Sequence, residues 1–474
     1  MINSKKTKLY FICWICVLFI YIDIYAQCGI ANNLPIIEFN TQTDLNNFEN
    51  ANPETDSLMF NIWIDERIEF EDTIVDLSPL EKIKYIGGTF CVINTEKIKD
   101  FNQIDNIIKI EGPINLEYNK SLESLKGFEK LTYVGSDILI SDNDKFSSFA
   151  GTQNIDTIKG ALQITNSPQL KIIDGFNNLQ SLERIRIEYC DSLTIFSTHL
   201  ENVVSLLSIS IQETPLQDLN FLNDDIIITE SIRFNRLNIS EITGFDNITN
   251  LSSSLRIEDN FSLTDIDAFS NLKTVENLFL GRSLAVAVTP QSFSRLDSVF
   301  RSLTIRNIQL SDLNFFNSLS YVGFNLHVQN SSLLRDLDVY ENIVAIPEDV
   351  IIENNASLDD CTALCDRIRL GLATTLDSNP GCNSVQELVE LCGPSSALSI
   401  PLGHTHIFPN PVENYLHIRT KEDIDKFIIY SLEGKELLRS NKSQKIDMSS
   451  LSNGFYIVVI SYGGRQLIQK IHKI

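Results

Sequence analysis

The stretch Leu122-Glu123-Ser124-Leu125-Lys126-Gly127-Phe128-Glu129-Lys130-Leu131-Thr132-Tyr133-Val134-Gly135-Ser136-Asp137-Ile138-Leu139-Ile140-Ser141-Asp142-Asn143 decides the fold. It holds three short apolar segments separated by Gly, Asn, Asp and Ser, residues that accept the backbone conformations of tight turns. None of the three segments is long enough for a helix, and Ile138-x-Ile140 has the period of a strand with one buried face. Three short sides with inward-pointing pairs describe one coil of a β-helix.

The unit recurs. Outward from Ile138/Ile140, equivalent pairs stand at Phe90/Val92, Ile114/Leu116, Leu162/Ile164, Ile185/Ile187, Ile209/Ile211 and Ile232/Phe234. They continue as Leu255/Ile257, Leu278/Leu280, Leu303/Ile305, Leu326/Val328 and Val350/Ile352, at intervals of 23 to 25 residues. A constant period of this size means one supersecondary unit stacked on copies of itself. The second side recurs as Ile83/Ile86, Ile107/Ile110, Leu131/Val134 and Ile155/Ile158, and the third as Leu122/Leu125, Phe146/Phe149 and Leu170/Ile173. Phe60-Asn61-Ile62-Trp63-Ile64 shows the same alternation and starts a further coil. The expected fold is mainly β: a right-handed β-helix or leucine-rich solenoid of about 12–13 coils with short helical caps, plus a small C-terminal β-sandwich. Asn119, Asn143, Asn166, Asn260, Asn307, Asn330 and Asn354 follow the middle strand and are read together as one turn ladder.

The ends read differently. Lys5, Lys6 and Lys8 precede the apolar run from Leu9 to Ile22, and Tyr25-Ala26 precedes Gln27. That is the pattern of a secretory signal peptide cleaved after Ala26, and Cys13 and Cys16 are discarded with it. No other apolar run reaches the length of a transmembrane helix. The net charge of −24 becomes about −26 once the leader is removed, which argues against nucleic acid or anionic lipid as the partner. In an exported chain, the cluster Cys361, Cys365, Cys382 and Cys392 reads as disulfides rather than a zinc site. Ser384-Val385-Gln386-Glu387 is a capping box opening a helix toward Cys392, and a second short helix is expected near Leu364–Leu370. Asn40 to Asn50 is expected to cap the other end, with Thr43 as helix N-cap. The boundaries are 1–26 signal peptide, 27–57 N-terminal cap, 58–358 solenoid, 359–392 Cys-rich helical cap, 393–402 linker and 403–474 C-terminal domain.

Thr41-Gln42-Thr43-Asp44, the recurring Leu-x-Gly-Phe-x-x-Leu units and Asn379-Pro380-Gly381-Cys382-Asn383-Ser384 resemble bacterial receptor-L-domain-like repeat proteins. Those are similar to the leucine-rich β-helices of insulin-receptor ectodomains, and the resemblance covers about residues 28–392. The family shows a second cysteine near the position of Ser57-Leu58-Met59, so Cys28 lacks its expected partner, and Cys91 and Cys190 have no obvious one.

After Gly393-Pro394-Ser395-Ser396 come strands of four to six residues. Pro409-Asn410-Pro411, Gly434-Lys435, Leu451-x-x-Gly454-x-Tyr456 and Lys470, in that order, resemble the type A C-terminal sorting domain of the type IX secretion system in Bacteroidota. The resemblance implies export to the periplasm, passage across the outer membrane through the type IX machinery, and frequent removal of the domain on attachment to surface polysaccharide. The protein is therefore expected to be secreted or held on the outer surface of a Gram-negative cell.

No catalytic motif stands out. The six histidines are scattered at His199, His327, His404, His406, His417 and His472. His404 and His406 sit alone in a linker, Asp142-Asn143-Asp144 and Asp224-Asp225 read as turns, and no cofactor or metal is expected. Polysaccharide lyases and hydrolases on β-helices carry carboxylates and a base on the outward face. Here the outward residue of successive pairs is Cys91, Asn115, Leu139, Gln163, Arg186, Ser210, Arg233, Arg256, Phe279, Thr304, His327 and Ile351. With no acidic stack, the expectation is a non-catalytic binding or adhesion module. A polysaccharide-degrading enzyme and a purely structural spacer are the alternatives, and a surface or environmental glycan or another protein is the partner. Arg186, Arg233 and Arg256 share the outward slot, with Arg306 two residues along its own strand, and together they are the candidate ligand-binding residues. Glu188 and Glu258 stand ready to neutralise them.

Overall fold

The computed structural model describes residues 33–66, 72–198, 200–222, 225–282, 287–343, 349–369, 374–392, 406–408, 412, 414–419, 423–431, 435–441, 444–462 and 465–473. The signal peptide, Cys28, His199, Asp224, the linker, Pro409, Asn410, Pro411 and Gly434 lie outside these residues. The chain is a mainly β protein built on a β-solenoid of about thirteen turns. It divides into two compact units, one running to Phe269 without Ser252–Ser254, the other holding Ser252–Ser254 and Ser270 onward.

In the first unit the long sheet is parallel throughout. Its strands are Ile36–Phe39, Asn61–Asp65, Phe90–Ile93, Ile114–Glu117, Ile138–Ser141, Ala161–Thr165, Arg184–Glu188, Ser205–Gln212, Ile227–Asn235 and Asn250–Glu258. Each apolar pair faces its counterpart: Phe90 pairs with Ile114, Ile114 with Ile138, Ile138 with Leu162 and Ile185 with Ile209. The register is pinned because a slip by one residue would turn the whole buried set outward. A second sheet of two-residue strands, Ser57–Leu58, Tyr85–Ile86, Lys109–Ile110, Tyr133–Val134 and Thr157–Ile158, forms another side of the coil. Phenylalanines line the interior between sides, stacked coil on coil: Phe101 on Phe128 at 4.7 Å and Phe196 on Phe221 at 4.1 Å. Gly127, at φ +109°, passes so close below that a Cβ would stand 2.0 Å from the Phe101 carbonyl oxygen, so the turn requires glycine.

The asparagines separate into two ladders, which corrects their reading as one. Asn119, Asn143 and Asn260 are fully buried, and with them stand Asn355 and Asn379. The Asn119 Nδ2 donates to the Val92 carbonyl at 2.9 Å, while its backbone N–H donates to Asn143 Oδ1 at 2.9 Å. In the second unit Asn355 Nδ2 donates to the Val328 carbonyl at 3.0 Å, and the Asn355 N–H donates to Asn379 Oδ1 at 3.1 Å. Asn166, Asn307, Asn330 and Asn354 stand one residue earlier, in the left-handed conformation at φ 47° to 56°. The interior ladder supplies backbone partners where the coil turns away from water; the other tolerates a strained turn.

The N-terminal cap is helix Gln42–Ala51. Its N-cap is Thr41 rather than Thr43: Thr41 is extended and its hydroxyl accepts the Asp44 N–H at 3.1 Å. Asp44 returns the bond, accepting the Thr41 N–H at 2.9 Å. That reciprocal pair needs a carboxylate three residues on, which Thr41 has and Thr43 does not.

In the second unit the parallel strands are Thr274–Gly281, Ser298–Arg306, Asn325–Gln329, Asp349–Glu353 and Thr374–Asp377. The last strand falls within the Cys-rich segment, so coil pairing continues past residue 358. A 3-10 turn, Thr362–Leu364, leads into helix Cys365–Arg369, and helix Val385–Leu391 starts from Ser384, whose hydroxyl accepts the Glu387 N–H at 3.2 Å. The Glu387 carboxylate accepts from Asn383 rather than from Ser384, so the return half of the expected box is displaced by one residue. Disulfides join Cys361 to Cys382 and Cys365 to Cys392.

The C-terminal domain holds two antiparallel sheets. One has strands His406–Phe408, Tyr415–Arg419 and Lys445–Asp447; the other has Ile424–Ser431, Glu436–Ser440, Gly454–Tyr462 and Arg465–Lys473. Between them Leu416, Ile429, Met448, Val458, Ile460 and Ile471 form a buried core.

Candidate binding face and C-terminal domain

The outward side of the long sheet carries the candidate residues. Across successive strands of the first unit Arg186 faces Ser210, Ser210 faces Arg233, and Arg233 faces Arg256. Neighbouring positions in such a row are about 4.8 Å apart. Arg306 belongs to the second unit and lines up with Gly281 and Gln329, so it shares a different register position from the three arginines.

Two residues along the strands runs a second row: Glu188, Gln212, Asn235 and Glu258. Glu188 accepts from Arg186 at 2.9 Å and from Gln212 Nε2 at 2.6 Å. Glu258 accepts from Arg256 at 2.9 Å. Arg233 reaches the same carboxylate only at 3.7 Å, and its Nε is buried without a hydrogen-bond partner. The arginine side chains are 54%, 41% and 37% exposed, whereas Glu188 and Glu258 keep only 9% and 10%. The carboxylates therefore sit beneath the guanidiniums, and the groups a ligand meets are cationic. Glu188 also holds the Arg186 guanidinium more firmly protonated than usual.

The same second row begins Asp65, Ile93, Glu117, Ser141, Thr165 before reaching Glu188. Glu117 is buried, one of its oxygens lacks a partner, and its pKa is pushed up to about 7 by burial and then by Asp142. Two features of this face escaped the sequence. Trp63, Cys91 and Ile93 form a small buried cluster on what periodicity marks as an outward row. Cys91 is itself disulfide-bonded, to a partner outside the described residues, which corrects its reading as a cysteine with no obvious mate. Cys190 is a free buried thiol, its pKa raised to about 11 by burial.

In the C-terminal domain the motif residues shape turns. Lys435 closes a turn with Ser431, whose N–H donates to the Lys435 carbonyl at 2.8 Å. Leu451 packs on the core, Gly454 opens its strand at φ +149°, and the Tyr456 hydroxyl donates to the Ser452 carbonyl at 2.6 Å. Lys470 lies in the last strand opposite Ile457. No helix among the described residues is long and apolar enough to cross a membrane. No curated protein matches this chain. Residues 406–473 match the secretion system C-terminal sorting domain family. The chain thus carries a type IX secretion sorting domain, and the protein is one delivered to the outer cell surface or the medium.

Proposed function

We propose that this is a non-catalytic binding or adhesion module, displayed on or released from a bacterial surface, with the solenoid as the recognition surface. The observation that carries the reading is the exposed arginine row on a secreted chain, where cations lie outermost over covered carboxylates. The repeat pattern resembles bacterial receptor-L-domain-like repeat proteins, and this resemblance favours recognition over catalysis by analogy of fold.

The test is a pair of assays on the mature chain: a glycan array for binding, and a polysaccharide panel scored for new reducing ends or unsaturated products. Binding without depolymerisation is expected. Cleavage of any polymer would make the protein an enzyme, and silence in both assays would leave a structural spacer.

A further inference from the structure

We infer that Arg186, Ser210, Arg233 and Arg256, flanked by Tyr189, form the seat of a linear anionic polysaccharide running along the direction in which the coils stack. The inference rests on the binding-module reading and narrows it to one ligand class.

Three observations converge. The first is unused hydrogen-bonding capacity. Arg233 stands directly beside Arg256, and both lean on Glu258, but only Arg256 is within hydrogen-bonding distance. Arg233 keeps a guanidinium with no hydrogen bond of its own at a 41% exposed position. The single Glu258 carboxylate lies against both guanidiniums and offsets one of the two charges, and the fork of an arginine holds a carboxylate or sulfate through two parallel bonds.

The second is spacing. Cationic positions recur along one straight row at about the coil repeat of 4.8 Å, with Ser210 leaving a gap between Arg186 and Arg233. On the strand side away from the acidic row, Ser208 and Ser231 occupy the next in-register positions and add little bulk. The row is therefore open beside Ser210 and Arg233, while beside Arg186 the same flank holds Arg184, paired with Glu183 and Glu230; an elongated row of repeated charges suits a polymer better than a compact anion.

The third is an exposed aromatic beside the row. Tyr189 is 53% exposed, at the left-handed turn position that follows the long strand of each coil and is held by Asn166 and Glu213 in the neighbouring coils. It follows Glu188 directly, three residues along the chain from Arg186. An exposed ring at the end of a cationic row offers an apolar face to a sugar while the arginines take its charges.

The experiment uses the full mature chain and three soluble polymers of similar length: polygalacturonate, dextran sulfate and neutral dextran. Binding is read by affinity electrophoresis at low ionic strength. Retention by at least one anionic polymer and none by dextran is expected, weakening as salt is added; the polymer that binds tells carboxylate from sulfate recognition. Arg233→Ser should weaken binding about tenfold with an unchanged melting temperature, because that side chain makes no hydrogen bond in the fold. Arg233→Lys should recover only part of the loss, and Tyr189→Ala should weaken binding independently. Failure of both anionic polymers to bind, or equal retention of Arg233→Ser, overturns the inference. If the array nevertheless shows a neutral glycan ligand indifferent to Arg233, the binding-module reading survives alone.

Discussion

Glu117 shows how much one side chain can cost where the coil pattern is otherwise uniform. It occupies a position held by Ser141 and Thr165 in the following coils, yet it is buried with an oxygen left unpaired. Its pKa of about 7 lies above the ordinary glutamate value of 4.5. Between those two pH values the folded chain retains a proton that the unfolded chain has released, so stability falls as pH rises through that window and the full penalty persists above it. Glu117→Gln should therefore stabilise the protein at pH 8 by roughly 1–3 kcal/mol and change little at pH 4. Urea midpoints at the two pH values decide this, and an equal gain at both would refute it. The asparagines make a second residue-scale case. Asn143 spends its amide on the Leu116 and Ser141 carbonyls, at 2.8 and 3.0 Å, inside the coil. Asn166 is exposed, and its side-chain amide donates to the Asp142 carboxylate. Asn143→Ala should cost roughly 1–3 kcal/mol and more than Asn166→Ala, as measured by chemical denaturation. The two positions were not separable in the sequence because both favour asparagine, one for its tolerance of the left-handed turn and the other for an amide that bridges coils.

At the scale of elements, the repeat and the cap helices were legible, and the strands that pair at the two ends of the long sheet were not. The inward pairs declared each strand of the long sheet because burial of one face enforces a period of two, and twelve copies made the coil spacing plain. Ile36–Phe39 and Thr374–Asp377 pair at the two ends, yet neither bears the full repeat, and both were absorbed into the expected caps. The arginine row was legible as a row because register follows from the period, but the burial of Glu188 and Glu258 beneath it depends on side-chain packing that no spacing reveals. Nor could spacing choose among the cysteine pairings. In the cap Cys361–Cys382 and Cys365–Cys392 close loops of 21 and 27 residues, and the helices they tie, together with the last strand, cover apolar coil interior. Replacing Cys382 and Cys392 with Ser should lower stability by roughly 2–5 kcal/mol per lost bridge and promote aggregation. An unchanged melting temperature under reducing conditions would contradict it.

For the molecule as a whole, delivery belongs to the C-terminal domain and the coil repeat to the rest of the chain. The sorting domain closes on its own core of Leu416, Ile429, Met448, Val458, Ile460 and Ile471, and outside that core its Phe455 and His472 rings pack on Phe300. Its motif residues are spent on that fold: Gly454 permits the entry to its strand, and Tyr456 ties the chain back to Ser452. Because these residues serve the fold, sorting should be lost when the fold is lost and also when the domain is removed. Deleting residues 403–474 should leave the repeat region folded, because its coils pair with one another, while trapping the protein in the periplasm. Replacing Val458 with Asp would bury an unpaired charge in the sandwich core and should give the same retention without shortening the chain. Protease accessibility on intact cells, with periplasmic extracts probed for the folded repeat region, measures both variants. Normal surface display of the truncated chain would show that the solenoid carries its own route across the outer membrane.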